Sequence, residues 1–259
     1  MLSRISEKTQ PWPARLALLL IACSGCTNTR ESSTRPEGQP ASTETQVLKG
    51  GAKALQTDTP VASMNVYLVG FHPMKAAPSD QMEAHHFCRQ VNEDVAQCVL
   101  FDGNTASANL NGVEYIISGR LFDSLPDDEK QYWHPHNYEI LSGMLAGPGL
   151  PGPAEKEFMR KKINSYGKTW HFWKTNHGDK LPVGEPMLAW SFNRDGELKP
   201  ELLAARDQKM GIDTGAKRRE RQNLVQLARP QSGVDDLKGR FPRGTRDIAG
   251  VVDRRSGSR

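Results

Sequence analysis

The feature that most limits what this chain can fold into is where its apolar residues are missing. From Ser24 to about Thr59 the sequence runs "SGCTNTRESSTRPEGQPASTETQVLKGGAKALQTDT", rich in Ser, Thr, Pro, Gly, Glu and Gln and without aromatic residues. Such a stretch cannot bury enough apolar area to offset the entropy of ordering it. From Arg229 to the end, "RPQSGVDDLKGRFPRGTRDIAGVVDRRSGSR" carries Gly, Pro and scattered charge with no helical or strand period. Only residues 61–228 hold apolar residues in periodic runs, so one domain is expected there, followed by a disordered basic tail over 229–259. No repeat of 20 to 50 residues is visible. A hydrophobic content of 37% over 259 residues agrees with a chain that is only partly folded.

Charge follows the same division. The formal net charge is +4, but from Lys217 onward there are 12 Lys and Arg against 5 Asp and Glu, so that segment carries +7 and the remainder −3. The candidate domain is therefore near neutral. No basic stripe is interleaved with stacking aromatics, which argues against a nucleic-acid partner.

The amino terminus reads as an export signal. Arg4, Lys8 and Arg15 precede "LALLLIA" (16–22), an apolar run long enough for a signal core and far too short to span a bilayer. "LIAC" (20–23) then resembles a bacterial lipobox, in which the cysteine is lipidated and becomes the mature N-terminus. "CSGC" offers Cys26 as a competing site, but Cys23 would then stand where an aliphatic residue is usual; the expected signal peptide is 1–22, the lipid anchor is Cys23, and 23–60 is a flexible tether with a reach of roughly 30 to 35 Å. Ser24 is not the aspartate associated with inner-membrane retention. The resemblance thus implies an outer-membrane lipoprotein whose membrane partner is engaged through acyl chains, each buried methylene contributing about 0.8 kcal/mol.

Within 61–228 the periodicity predicts a mixture of elements without a regular βαβ rhythm. Thr59-Pro60 with Val61, Met64 and Leu68 leans towards a helix, although "VYLVGF" suits a strand equally. Asp80 and Glu83 form a capping-box pattern, and Ala84, Phe87, Cys88, Val91 and Val95 then share a helical face, which predicts a helix from about Gln81. "QCVLFDG" and "VEYIIS" look like a hairpin. "LPDDEKQYW", "PAEKEFMRKKINSYG" and "KPELLAARDQKMG" look like short helices, Gly167 a helix cap, and "MLAWSF" a strand. The fold class is α+β: a single globular domain with a small, mainly antiparallel sheet and several short helices, flanked by disordered segments.

Three long strings, "QMEAHHFCRQVNEDVAQC", "EYIISGRLFDSLPDDEKQYWHPHNYEILSG" and "YGKTWHFWKTNHGDKLPVGEPMLAWSF", resemble the oil body-associated protein family, a domain of unknown function. The resemblance covers roughly residues 60 to 215. It implies an association with lipid bodies among plant members, and no established reaction or catalytic residues to carry over. The signal sequence, lipobox and tether set this chain apart from the plant pattern.

All seven histidines lie between His72 and His177. On a helix His85 and His86 point 100° apart and cannot share a metal. "HPH" (134–136) is a better pair, because residues two apart in an extended segment face one side and Pro135 favours extension at His134. With His86 or His171 as a further ligand, His134 and His136 could hold a divalent metal with one position left for water. The alternative is that these imidazoles satisfy buried carbonyls beside Trp133, Trp170 and Trp173. Signatures of common hydrolases, P-loops and dinucleotide-binding domains are absent. Cys88 reads as a core residue rather than a nucleophile. Cys88 and Cys98 are the candidates for a disulfide, but ten residues along one helix would separate them by about 15 Å, so the helix must end near Asp94 or both thiols stay free.

Two functional classes follow. The first is a lipid-anchored, non-enzymatic binding or structural domain at the membrane surface. The second is a metal-dependent enzyme, such as a hydrolase, built on the clustered histidines.

Overall fold

The computed structural model describes residues 29–57 and 59–254. The signal sequence, Cys23 and Cys26 lie outside the described residues. In chain order the elements are α1 (Thr43–Leu55), β1 (Val66–Pro73), β2 (Gln81–Asn92), β3 (Val95–Phe101), β4 (Leu110–Ile117), α2 (Gly119–Asp123), α3 (Asp127–Lys130), β5 (His134–Pro135), α4 (Asn137–Leu141), α5 (Gly152–Lys162), β6 (Tyr166–His171), β7 (Met187–Leu188), α6 (Pro200–Met210) and α7 (Thr214–Glu220). All strand pairs are antiparallel, in the order β1-β2-β3-β4-β6-β5, with β7 also on β6. The sheet curls into a half-barrel with short helices around it, so the α+β expectation is met. Among the described residues no helix is long and apolar enough to cross a membrane.

The expected helix from Gln81 is instead the long strand β2, and the weaker helix expectation at 61–68 yields to a single 3-10 turn, Pro60–Ser63, leading into β1. The physical reason is that both faces of the sheet are covered. Met82, Ala84, His86 and Cys88 face one side and His85 the other, yet all five are buried. A strand buried on both faces shows no apolar-polar alternation, and its apolar positions can imitate a helical stripe. The Asp80/Glu83 pattern does not cap a helix. Asp80 accepts hydrogen bonds from Asn176 and His177, and Glu83 pairs with His85 and Arg30. Gly167, expected as a helix cap, sits within β6.

Between β2 and β3 the chain turns through Asn92, whose Oδ1 accepts from the amides of Asp94 and Val95, both at 2.9 Å. This side-chain mimic of a turn is the reason Asn suits the position. The turn sets Cys88 directly opposite Cys98, with Cα atoms 4.0 Å apart and the two joined by a disulfide. The hairpin expected from "QCVLFDG" and "VEYIIS" is β3–β4, and α3, α5 and α6 occupy their expected segments, α6 closing on Gly211 in the left-handed conformation. "MLAWSF" is strand only at Met187 and Leu188, with one further bridge from Ala189 to Met74.

Both flanks depart from expectation. The tether includes α1, which has no buried residue, while residues before it are tied to the domain: Ser32 Oγ donates to Asp102, and Thr34 Oγ1 to the carbonyl of Thr175. The segment from Arg229 is not disordered through the described residues. Val234, Leu237, Phe241 and Val251 join the main core with Trp190 and Phe192, and the Trp190 indole donates to the Gly233 carbonyl. Few apolar residues suffice because they anchor loops to a core that other segments supply. Polar bonds carry the rest: buried Arg194 reaches Asp235, Asp247 and the Val234 carbonyl.

This packing predicts that Leu237→Ala lowers the unfolding free energy by about 2 to 5 kcal/mol, and that a chain ending at residue 228 loses its cooperative transition. Urea unfolding followed by tryptophan fluorescence checks both. A truncated chain with an unchanged midpoint would refute the assignment of this segment to the core.

Candidate metal centre

Strand register decides which side chains meet on the concave face. Pairing places Leu68 opposite His86, His86 opposite Leu100, Cys98 opposite Glu114, Glu114 opposite Thr169, and Gly112 opposite His171. With a period of two, His72, His86, Glu114, Thr169 and His171 all project to one side from β1, β2, β4 and β6. The loop entering α4 then lays His134 and His136 over them, held by β5 pairing with Tyr166 and Gly167. All five histidines and Glu114 are buried.

The polar atoms converge closely. His136 Nε2 lies 3.2 Å from His134 Nε2 and 3.3 Å from Glu114 Oε1, and His134 Nε2 lies 3.6 Å from the same oxygen. Glu114 Oε2 faces His86 Nε2 at 3.0 Å. Further along the face, His72 Nδ1 is 3.0 Å from His171 Nε2. Ligand atoms of His72, Glu114 and His134, and of His134, His136 and Glu139, can each be drawn within 4.8 Å of one another. Of the residues expected from sequence, His134 and His136 meet at Glu114 Oε1, His86 at its other oxygen, and His171 pairs with His72 further along the face. His72, Glu114 and Glu139 were not anticipated. His72 and Glu114 find their partners on separate strands, which no spacing within the sequence signals, whereas Glu139 lies three residues after His136 in "HPHNYE".

Two tautomers are fixed by neighbours. Ser165 Oγ donates its proton to the Lys162 carbonyl at 2.6 Å, so it accepts from His136 Nδ1 at 2.9 Å. His171 Nδ1 faces the Asn111 carbonyl at 3.3 Å, which can only accept. With Nδ1 so engaged, His136 turns Nε2 towards Glu114 and His171 turns Nε2 towards His72 Nδ1. His136 Nε2 then confronts the Glu114 carboxylate, and two acceptors at 3.3 Å are compatible only with a cation between them. A shared proton serves in the metal-free chain, and a metal ion serves otherwise.

Glycine makes the approach feasible. A Cβ added at Gly167 would collide with Glu114 Oε1 and lie 2.6 Å from His136 Nε2 and 2.7 Å from His134 Nε2. One at Gly112 would lie 2.8 Å from His171 Nδ1. Around the cluster, the buried atoms His86 Nδ1, His134 Nδ1, Glu139 Oε1 and Thr169 Oγ1 have no hydrogen-bond partner. The packing alternative requires imidazoles satisfied by carbonyls, and only His171 meets one here.

Burial, reinforced by neighbouring histidines, holds His72 well below the ordinary histidine range and lowers His134 to about 3 and His171 to about 4. Burial would raise Glu114, but hydrogen bonds from His136 and His86 outweigh it and keep the group a carboxylate. Burial and then the charge of Glu114 push Glu139 well above the usual carboxyl range. The result is three neutral imidazoles, His72, His134 and His171, beside one anion, Glu114. His85 is separate: on the opposite face of β2 it meets Tyr67 at 2.7 Å and Glu83 at 3.0 Å. Its expected separation from His86 holds. His177 is half-exposed and pairs with Asp80.

Residues 58–225 match the model of a family described as a protein of unknown function, DUF1264. The chain is 38% identical over 216 residues to oil body-associated protein 1A of Zea mays, covering 83% of this chain and 90% of that protein. It is 36% identical over 200 residues to oil body-associated protein 1B of Arabidopsis thaliana, covering 77% and 82%. Oil body-associated protein 2B of the same plant is 37% identical over 192 residues, covering 73% and 77%. No solved structure matches the chain.

The electrostatics predict an acid-side loss of stability in metal-free protein. Unfolded histidines take up protons below pH 6.5, whereas folded His134 and His171 wait until about 3 and about 4, and His72 also titrates well below 6.5. Three protons therefore favour the unfolded state there. Glu139 acts in the opposite sense above pH 4.5, holding a proton that the unfolded chain has lost. The difference of two protons gives stability that rises with pH between 4.5 and 6.5 by up to about 3 kcal/mol per unit, at about 1.4 per proton. Above that window the Glu139 contribution turns it gently downward. Urea unfolding at pH 5, 6 and 7 measures the slope; a flat profile contradicts the assignment of neutral buried imidazoles.

Proposed function

The chain belongs to the DUF1264 family, which includes the plant oil body-associated proteins, and on that premise we propose that its domain is a metal-binding module. The observation that carries the proposal is the triangle of Glu114 Oε1, His134 Nε2 and His136 Nε2, with edges of 3.2, 3.3 and 3.6 Å. An ion bonded at 2.0 to 2.2 Å in tetrahedral geometry has ligand-to-ligand edges of about 3.4 Å. The three atoms already stand at that separation. His86, bonded to the other oxygen of Glu114, orients the carboxylate, and Ser165 orients His136. Imidazole and carboxylate donors suit zinc, manganese or ferrous iron rather than cuprous ion or an iron–sulfur cluster, and Cys88 and Cys98 are engaged with each other. The proposal concerns binding. The hydrolase alternative draws no support from the relatives, whose family description names no reaction.

Protein purified from metal-supplemented cells is expected to carry about one equivalent of metal per chain. His134→Ala/His136→Ala should abolish it, and Gly167→Ala should reduce it sharply by driving a methyl group into the ligand atoms. Elemental analysis measures the content. Wild-type chain that neither carries metal nor gains thermal stability from added zinc, manganese or ferrous iron would leave the packing reading standing.

A second reading concerns location and is supported by the Cys88–Cys98 disulfide, since such bridges persist in oxidising compartments. We propose export of the chain, acylation at Cys23 and attachment to the outer membrane, with membrane lipid as the partner. Cys23→Ser should stop palmitate labelling and release the protein from membrane fractions. Labelling that persists in this variant and disappears in Cys26→Ser would move the anchor.

A further inference from the structure

A second feature adjoins the cluster. The concave face continues past His86 and Glu114 into a narrow, largely apolar channel of about 50 Å³ that opens to solvent. Strand register gives its direction. Along β2 the lining residues run from buried His86 through Cys88 to exposed Gln90, and along β4 from Glu114 to Ile116. Four residues of strand correspond to about 13 Å, roughly the length of an extended chain of about ten carbons.

Polarity is divided between the two ends. His86, Glu114, His136 and Glu139 line the inner end, and Glu139 Oε1 there has no hydrogen-bond partner. Leu68, Ala96, Ile116 and Phe158 form apolar walls. The disulfide ties the β2 and β3 walls together. At the mouth Lys162, the last residue of α5, donates to Gln90 Oε1 at 2.5 Å. An apolar passage with a few polar groups gathered at its closed end is the usual construction of a small-molecule site.

We infer that the channel takes a molecule with one straight apolar chain and a single oxygen-donor head, of the medium-chain carboxylate type, its head on the metal and its chain running outward to Gln90 and Lys162. The inference rests on the metal-binding reading above. Without an ion the inner end offers an anionic head the carboxylate of Glu114, which repels it. With an ion held by Glu114, His134 and His136, the same end offers a coordination position facing the channel. Chain length is then measured by the distance from the centre to the mouth.

Decanoate titrated calorimetrically into zinc-loaded full-length protein tests this, with acetate as the head-only control. Decanoate is expected to bind at least about 100-fold more tightly than acetate, because eight further methylenes enter apolar surroundings. Chelator-stripped protein should lose most of that affinity. Ala96→Leu, which narrows the channel away from the metal ligands, should weaken decanoate about tenfold or more with zinc content unchanged; Ile116→Phe provides an independent wall variant. Zinc-loaded protein that binds decanoate no better than acetate overturns the channel. Protein that takes up no zinc yet still prefers decanoate overturns the metal-bound head and the metal reading, and leaves the apolar channel as the part that stands.

Discussion

A carboxylate buried on the concave face of a curled sheet has to be compensated, and the arrangement around Glu114 is organised by that requirement. Leaving an ionised group in such a place without partners costs several kcal/mol. Glu114 is met by His86 on one oxygen and by His134 and His136 on the other. His86 stands on β2, His134 on the edge strand β5 and His136 at the start of α4, so the carboxylate ties three parts of the domain together. None of the three can drift without breaking that compensation.

The C-terminal segment explains why the loop stays in place. Gln231 accepts from the Asn137 amide at 3.0 Å and donates to the Ser165 carbonyl at 2.8 Å. Asn137 follows His136 directly, and Ser165 orients the His136 ring. One buried side chain from the last thirty residues therefore ties the backbone next to a ligand-bearing histidine to the residue that orients its ring. Asn164, in the left-handed conformation, joins the same network through Asn137 and the Arg229 amide. A centre built on strands is positioned by register alone, but one built partly on a loop needs such clamps.

Sequence periodicity was a good guide where one face of an element meets solvent. The hairpin β3–β4 and the helices α5 and α6 were legible because their patterns report a single buried side. It failed at β2, where Met82, Ala84, His85, His86 and Cys88 are all buried and the period of two is erased. A helical reading of β2 makes the disulfide a geometric difficulty, since Cys88 and Cys98 lie opposite each other only in a hairpin. It also hid Glu114 as a partner for the histidines. The family resemblance was legible from three strings, whereas the ordering of residues after Arg229 was not, because those residues complete a core whose larger part comes from elsewhere. His134 and His136 were identifiable from "HPH", although Pro135 acts differently from expectation: it carries the chain from β5 into α4, and the two rings meet at 3.2 Å by folding over Gly167 rather than by projecting from one extended strand.

Whether five buried histidines are packing or a ligand set turns on where their nitrogens point. Imidazoles used as packing groups direct their donors to carbonyls and leave few lone pairs facing one another. Here Ser165 and Asn111 take the Nδ1 protons of His136 and His171, and both Nε2 atoms turn inward. Gly112 and Gly167 remove the side chains that would otherwise fill the space between the rings. An apolar residue at either position would give a drier and more tightly packed interior, and strand propensity also disfavours glycine there. At Gly167 the ring nitrogens of His134 and His136 and the Glu114 carboxylate gather on a single point, which is costly for a core and is the electrostatic requirement of a cation site.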